Sequence, residues 1–176
     1  MKNINILGIS GSLRADSTNT LILKTLAAFL PENINFQMFE GLDQIPHFSP
    51  GLSENDGVIK FKKAIRQADG VIICTPEYAF GVPGTLKNAL DWTVSTGDLN
   101  DKPVSAISAS PLNTGGDKAL ASLLLTLTAL GTLRNEESSL SIPNIKLKIN
   151  DLQQITDEPT LHALKAQCDN LLKIIG

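Results

Sequence analysis

The sequence has 176 residues, of which 42% are hydrophobic and 19% charged, a composition typical of one globular domain and not of a disordered chain. The formal net charge of −3 gives no support for nucleic acid or an anionic membrane as a partner. Cys74 and Cys168 lie far apart without metal-ligand spacing, which indicates a reduced protein. With no signal peptide and no membrane-spanning apolar run, we expect a single cytoplasmic domain over residues 1–176.

The first half of the chain alternates between strand-like and helix-like segments. Residues 3–10 form a short apolar run, typical of a strand buried on both faces, and residues 17–30 carry apolar side chains at helical spacing. Residues 34–40 alternate, which predicts a strand with one exposed face. A long connection rich in Gly, Pro, Ser and Asn follows at 41–57, and an amphipathic helix is predicted at 58–68.

The second half continues the same alternation. The predicted elements are, in order, a strand at 71–75, a helix at 84–93, a strand at 103–109, a helix from Asp117 to about 130, a weak strand at 138–142 and a helix at 157–175. Residues 143–156 give no clear pattern. The final helix carries Cys168 within its apolar stripe, which predicts that this cysteine lies in the core.

This order of elements predicts an α/β fold with a parallel sheet covered by helices on both faces. In such sheets, ligands bind at the carboxyl ends of the strands, where the strand order reverses. Three loops rich in Gly, Ser, Thr and Pro leave strands at that edge, at 10–19, 75–83 and 110–116. We therefore expect a bound cofactor beside them.

The first of these loops has the chemistry of an anion site. Its neutral hydrogen-bonding side chains are Ser10, Ser12, Ser17 and Asn19, and Arg14 adds a charged group. The helix that follows offers free N–H groups and the positive end of its dipole. A phosphate monoester suits this set, although an ordinary strand–turn–helix capped by Ser17 would have a similar sequence.

The second loop combines unusual backbone with aromatic side chains. Tyr78 and Phe80 supply flat apolar surface, and backbone amides near Gly81 could bind the polar edge of a ring. The alternative is a plain turn before a helix that buries Leu86 and Trp92, but it explains only the helix and not the loop.

Several other sites are excluded by their missing residues. The first loop lacks the G-x-G-x-x-G of dinucleotide sites and the Gly-Lys-Ser/Thr of triphosphate sites. It also has no cysteine before Arg14, as a phosphatase nucleophile would require. Metal catalysis has no His/Asp/Glu cluster to support it.

Two motifs resemble those of the NAD(P)H-dependent FMN reductase family, which includes quinone-, chromate- and azo-reducing flavoproteins. The stretch from Pro76 to Trp92 resembles its Pro-Glu-Tyr-x-x-Gly-x-Pro-Gly-x-Leu-Lys-Asn-x-x-Asp-Trp motif. Residues 11–19 resemble its Gly-Ser-x-Arg-x-x-Ser-x-Asn loop, and Ser108-Ala109-Ser110 with Gly115-Gly116 is similar to its third loop. The resemblance covers residue 3 to about residue 131.

This resemblance implies a flavodoxin-like fold with strand order 2-1-3-4-5 and non-covalently bound FMN. The residues that match the family's phosphate loop and its surroundings are Ser10, Ser12, Arg14, Ser17, Thr18 and Asn19. Those that match the loop beside the isoalloxazine are Pro76, Glu77, Tyr78 and Gly81, and those of the third loop are Ser110 and Gly115. Pro111-Leu112-Asn113-Thr114 departs from the family by lacking a basic residue often found there.

The resemblance also implies an enzyme without a catalytic side chain, because the flavin carries the chemistry. NAD(P)H would be the co-substrate, and a flavin, quinone, chromate or azo compound the second acceptor in a ping-pong reaction. Glu77 is interpreted as fixing its loop or a subunit contact and not as a general base. The family commonly forms dimers or tetramers, so we expect a homodimer or homotetramer, with contacts at 84–96 and 41–57. The alternative is a non-enzymatic FMN-binding electron carrier, which the modest charge of −3 disfavours.

Overall fold

Five parallel strands form one sheet in the order β2-β1-β3-β4-β5. In the computed structural model, which describes residues 3–176, the strands are β1 (Ile4–Ser10), β2 (Ile34–Met38), β3 (Gly70–Thr75), β4 (Val104–Ala109) and β5 (Ser139–Ile142). The strand order is the flavodoxin-like one that the family resemblance implied. It reverses between β1 and β3, and in sheets of this kind ligands bind outside the carboxyl ends of the strands at the reversal.

Five α-helices connect and cover the strands. They are α1 (Thr18–Ala27), α2 (Asp56–Gln67), α3 (Gly84–Asp91), α4 (Asp117–Ala129) and α5 (Glu158–Ile175). Each predicted helix is present, with ends shifted by a few residues. The largest shift is at α1, where the Ala28 and Phe29 N–H groups bond three residues back, to Thr25 and Leu26. These tighter turns end the helix before Pro31.

The two faces of the sheet have separate hydrophobic cores. Helices α2, α3 and α4 pack on one face, against side chains such as Leu7 and Ile73. Helices α1 and α5 pack on the other, against Ile6 and Ile72, and Cys168 is buried there as predicted. Strands β3 and β4 are buried at every residue, because helices cover both of their faces.

The segment that the sequence left without a prediction, 143–156, is held by the core at both ends. It contains a 3₁₀ turn at Ile145–Lys148, and the side chains of Ile145 and Ile155 are buried with α1 and α5. Lys148 Nζ lies 2.7 Å from Asp157 Oδ2, which ties the segment to the start of α5. None of the helices described here is long and apolar enough to cross a membrane.

The hydrogen bonds of Asp157 are expected to make the folding stability depend on pH in the acid range. Its carboxylate accepts hydrogen bonds from Lys148 Nζ, Thr160 N and Thr160 Oγ1. These bonds, of which that from Lys148 has the largest effect, lower the pKa of Asp157 from 3.8 to about 2. A lowered folded-state pKa stabilises the fold above about pH 4, and the contribution is lost as the pH falls through about 2. Asp157→Asn should therefore show a smaller loss of urea stability between about pH 5 and pH 2 than the wild type.

The exposed acid Asp151 provides the matched control in the same segment. Asp151→Asn should follow the wild-type pH profile. If Asp157→Asn also follows it, the carboxylate of Asp157 does not couple folding to protonation.

Candidate functional site

The three loops predicted to form the site lie side by side at the carboxyl edge of the sheet. The first loop, 11–17, joins β3 through a 2.8 Å bond from Gly11 N to the Cys74 carbonyl. The second loop, 76–83, meets the third, 110–116, near Glu77: a Cβ built on Gly116 would lie 3.5 Å from Glu77 Cβ. The loops therefore follow the order β1-β3-β4 along the sheet.

Ser10 organises the start of the first loop. Its Oγ accepts hydrogen bonds from Thr20 Oγ1 at 3.1 Å and from Ser12 N at 3.4 Å. Ser12 Oγ in turn accepts from Arg14 N at 3.4 Å. These serines hold the backbone of the loop against α1, and Ser12 keeps part of its surface exposed.

The N-terminus of α1 presents unused donors beside this loop. Ser17 is the N-cap, and its Oγ accepts from Asn19 N at 3.2 Å. Within residues 3–176, no acceptor is paired with the N–H groups of Thr18 and Thr20. These N–H groups and the helix dipole together favour an anion at this position.

Arg14 is paired with a carboxylate that the sequence analysis overlooked. Its Nη2 lies 3.1 and 3.0 Å from the two oxygens of Asp16, and both side chains are exposed. The Arg14 guanidinium lowers the pKa of Asp16, with a smaller contribution from Lys146. Because exposed ion pairs contribute little stability, a phosphate can compete for this guanidinium.

The second loop contains a tight turn whose two central residues are neither Gly nor Asn, so the sequence did not predict it. Tyr78 and Gly81 exchange two backbone hydrogen bonds of 3.0 Å. Ala79 and Phe80 between them have φ of 49° and 62°, the left-handed values of a type I′ turn. Residues with a Cβ adopt these angles at an energetic cost, and such strain is commonly found at binding sites.

This turn displays the aromatic side chains of the loop. Tyr78 is 52% and Phe80 79% exposed, so neither side chain is part of the hydrophobic core. The helix that follows does bury Leu86 and Trp92, as the alternative interpretation of the motif required. The loop and the helix therefore serve different purposes, and the loop offers open apolar surface.

Glu77 joins the second loop to α4. Its Oε2 accepts from the backbone N–H groups of Lys118 and Ala119, both at 3.0 Å. These N–H groups belong to the first turn of α4 and have no backbone acceptor within the helix, although Lys118 N also donates to Asp117 Oδ1 at 3.0 Å. The geometry favours the interpretation of Glu77 as a residue that fixes its loop over that of a general base. Pro76, one residue earlier, has its carbonyl bonded by Thr75 Oγ1 at 2.9 Å.

The predicted residues of the third loop build the loop itself. Ser110 is buried, and its Oγ accepts from Leu112 N at 3.1 Å. Gly115 has a φ of +66°, and a Cβ there would lie 2.3 Å from Ser141 Oγ, so only glycine fits. Contact of these two residues with a cofactor stays a prediction.

Other features of the surface lie elsewhere. A groove of about 940 Å³ runs between β2 and α2, and one of about 440 Å³ lies near Arg66 and Lys102. Neither groove contains a predicted site residue. Among residues 3–176, no three His, Cys, Asp or Glu side chains are grouped so that they could hold a metal ion.

Comparison with known proteins shows the family to which the chain belongs. The sequence matches the NADPH-dependent FMN reductase family over residues 4–146. The chain belongs to this family. A quinone reductase of Escherichia coli is 30% identical over 173 residues, covering 94% of this chain and 92% of the relative. An NAD(P)H-dependent FMN reductase of Pseudomonas aeruginosa is 32% identical over 133 residues, covering 73% and 71%.

A solved structure agrees in both fold and length. FerB, a flavoenzyme NAD(P)H:(acceptor) oxidoreductase from Paracoccus denitrificans, superposes with a TM-score of 0.87 at 28% identity. The match covers 98% of this chain and 97% of FerB. The fold of the whole described chain is therefore that of a flavoenzyme.

Family membership makes the protein an oxidoreductase that uses FMN with NAD(P)H as the electron donor. The non-enzymatic electron carrier is not favoured. The residues at the carboxyl edge fit FMN, because free N–H groups and hydroxyls suit its phosphate and exposed aromatic surface suits its ring.

Glu77 provides a test of how the loops are held together. Glu77→Ala should lower the free energy of unfolding by about 1–2 kcal/mol, since Ala119 N loses its acceptor and Lys118 N keeps only Asp117 Oδ1. Glu77→Gln keeps a side-chain oxygen and should retain most of the stability. Urea unfolding measures both, and Glu136→Ala, at an exposed acid for which residues 3–176 offer no partner, is the control. Equal losses in Glu77→Ala and Glu136→Ala would contradict the bridging role.

Proposed function

We propose that the three loops bind FMN non-covalently, with the phosphate at the N-terminus of α1 and the isoalloxazine against the second loop. The observation that carries this proposal is the juxtaposition of unused N–H donors with the exposed turn at Tyr78–Gly81. The proposed phosphate contacts are Ser10, Ser12, Arg14, Ser17, Thr18 and Asn19. The proposed ring contacts are Pro76, Glu77, Tyr78 and Gly81, with Ser110 and Gly115 closing the third side.

The second loop supports ring binding through its backbone as well as its side chains. Within the described residues, the N–H groups of Glu77, Ala79 and Phe80 have no acceptor. The polar edge of an isoalloxazine carries carbonyl and ring-nitrogen acceptors that such donors can bind. We infer that the strained turn displays these donors, and that Glu77 keeps the turn in place by holding α4.

The reaction then requires orientation more than acid–base chemistry from the protein. When bound, FMN accepts a hydride from NAD(P)H and passes two electrons to a second acceptor. We infer a ping-pong sequence with a quinone, flavin, chromate or azo compound as that acceptor. The similarity to a quinone reductase and to an NAD(P)H:(acceptor) oxidoreductase supports this class of acceptor.

We also propose that a second copy of the chain completes the site, in a cytoplasmic homodimer or homotetramer. Four large apolar side chains on the three loops are more than half exposed, namely Leu13, Tyr78, Phe80 and Leu112. Apolar surface gathered around one site favours burial against either a ligand or another subunit.

Arg14 tests the position of the phosphate. Arg14→Ala should weaken FMN binding by about 1.5–3 kcal/mol, the typical cost of removing a charged hydrogen-bond partner. Riboflavin, which lacks the phosphate, should bind the wild type and the variant alike. Fluorescence titration of the flavin-free protein measures all four dissociation constants.

The matched control is Arg66, an exposed arginine at the end of α2 that pairs with Asp98. Arg66→Ala should bind FMN as the wild type does. An unchanged FMN affinity in Arg14→Ala would remove Arg14 from the site.

Anaerobic spectroscopy and steady-state kinetics test the reaction. NAD(P)H should bleach the flavin band at about 450 nm, and a quinone should restore it. Initial rates measured against NAD(P)H concentration, at several fixed quinone concentrations, should give parallel double-reciprocal lines. Parallel lines are the signature of a ping-pong sequence. A flavin that stays oxidised with either nicotinamide would instead indicate an electron carrier.

A further inference from the structure

Cys74, the next-to-last residue of β3, contacts the phosphate loop in two ways. Its carbonyl accepts from Gly11 N at 2.8 Å, and its Sγ lies 3.3 Å from Asn19 Oδ1 in the first turn of α1. The first contact belongs to the backbone and survives any side-chain substitution. The second depends on the thiol alone, and neither the sequence motifs nor the proposed FMN contacts include it.

The thiol acts as the donor in this contact. Cys74 is fully buried, and burial raises the pKa of its thiol, so the proton stays on sulfur at any working pH. A protonated thiol bonded to an amide oxygen fixes which end of the Asn19 side chain faces β3. The Nδ2 group of Asn19 then faces the other way.

The other end of the Asn19 side chain is free to bind a ligand. Within residues 3–176, Nδ2 has no hydrogen-bond partner, although no buried polar side-chain atom there is left unpaired. Nδ2 is therefore accessible at the surface, and it contributes to the 4% of the Asn19 surface that remains exposed. Thr18 and Thr20, whose N–H groups are also unused, flank Asn19 in the sequence.

We propose that Cys74 is a positioning residue of the phosphate site, whose thiol holds the carbonyl end of Asn19 and so directs the Nδ2 donors toward the FMN phosphate. This inference rests on the proposed FMN site. The reverse amide orientation would present Oδ1 to a phosphate, which has no hydrogen to donate and repels an oxygen lone pair. Removing the thiol should therefore weaken binding of the phosphate and leave binding of the ring unchanged.

The test compares FMN with riboflavin in the flavin-free full-length chain. Cys74→Ala should raise the dissociation constant for FMN by about fivefold to tenfold, as for a charge-assisted hydrogen bond that is no longer oriented, and that for riboflavin by less than about twofold. Cys74→Ser restores an O–H donor and should recover FMN binding to within about twofold of the wild type. Cys74→Val fills the buried strand position without a donor and should behave as Cys74→Ala does.

Cys168 offers a matched control for the loss of a buried thiol. It lies in the same core, on α5, and among residues 3–176 its Sγ has one hydrogen-bond acceptor, the Leu26 carbonyl at 3.6 Å. Cys168→Ala should leave both dissociation constants within about twofold of the wild type. In an Asn19→Ala background, Cys74→Ala should have no further effect on FMN binding.

The outcomes separate this inference from the proposed function. A wild type that prefers FMN to riboflavin, with Cys74→Ala and Cys74→Val leaving that preference unchanged, overturns the role of Cys74 alone. Equal weakening of both flavins, or no recovery in Cys74→Ser, also overturns it, since a general packing defect would act in this way. A wild type with no preference for FMN overturns the phosphate site and this inference together.

Discussion

The close approach of the first loop to β3 is the constraint on which the site depends. A Cβ at Gly11 would lie 3.0 Å from Thr75 Oγ1 and from Leu86 Cδ2, so the backbone there runs directly against its neighbours. The bond from Gly11 N to the Cys74 carbonyl fixes that approach. As a result, the N-terminus of α1 comes to the point where the strand order reverses, and its free N–H groups open onto the same edge as the second loop.

The Glu77 carboxylate links the second loop to the helix that follows the third loop. Glu77 leaves the end of β3 and satisfies the first turn of α4, so the strained turn that follows it is braced from one side. Strain of this kind persists only where the surrounding structure over-determines the backbone. The arrangement places exposed aromatic surface beside a cluster of polar donors, which is the division that a flavin with an apolar ring and a charged phosphate requires.

Most of the fold follows from the sequence, because buried strands and amphipathic helices have distinct periodicities. The strand order, by contrast, came from the family resemblance, since periodicity carries no information about which strands are neighbours. The segment 143–156 had no predictable pattern because its structure is a short 3₁₀ turn fixed by isolated side chains such as Ile145 and Ile155. Its order comes from tertiary packing and not from local preference.

The placement of the three loops was predictable, but the contacts within them were not. The order of the predicted elements put the three loops at one edge. The type I′ turn at Ala79-Phe80 was not predictable, because neither of its central residues is a glycine or an asparagine. The pairing of Arg14 with Asp16 and the contact between Cys74 and Asn19 depend on side-chain directions. Ser110 and Gly115 were predicted as ligand contacts. In the structure, both have evident roles in building their own loop.

Hydrogen–deuterium exchange with and without FMN reports directly on the backbone amides that we propose bind the cofactor. The unused N–H groups at the start of α1 and in the turn at Tyr78–Gly81 should exchange fast in the free protein and become protected when FMN binds. Riboflavin should protect the second loop but not the start of α1. Protection by FMN that appears at the groove between β2 and α2, with none at the three loops, would rule out the proposed FMN site.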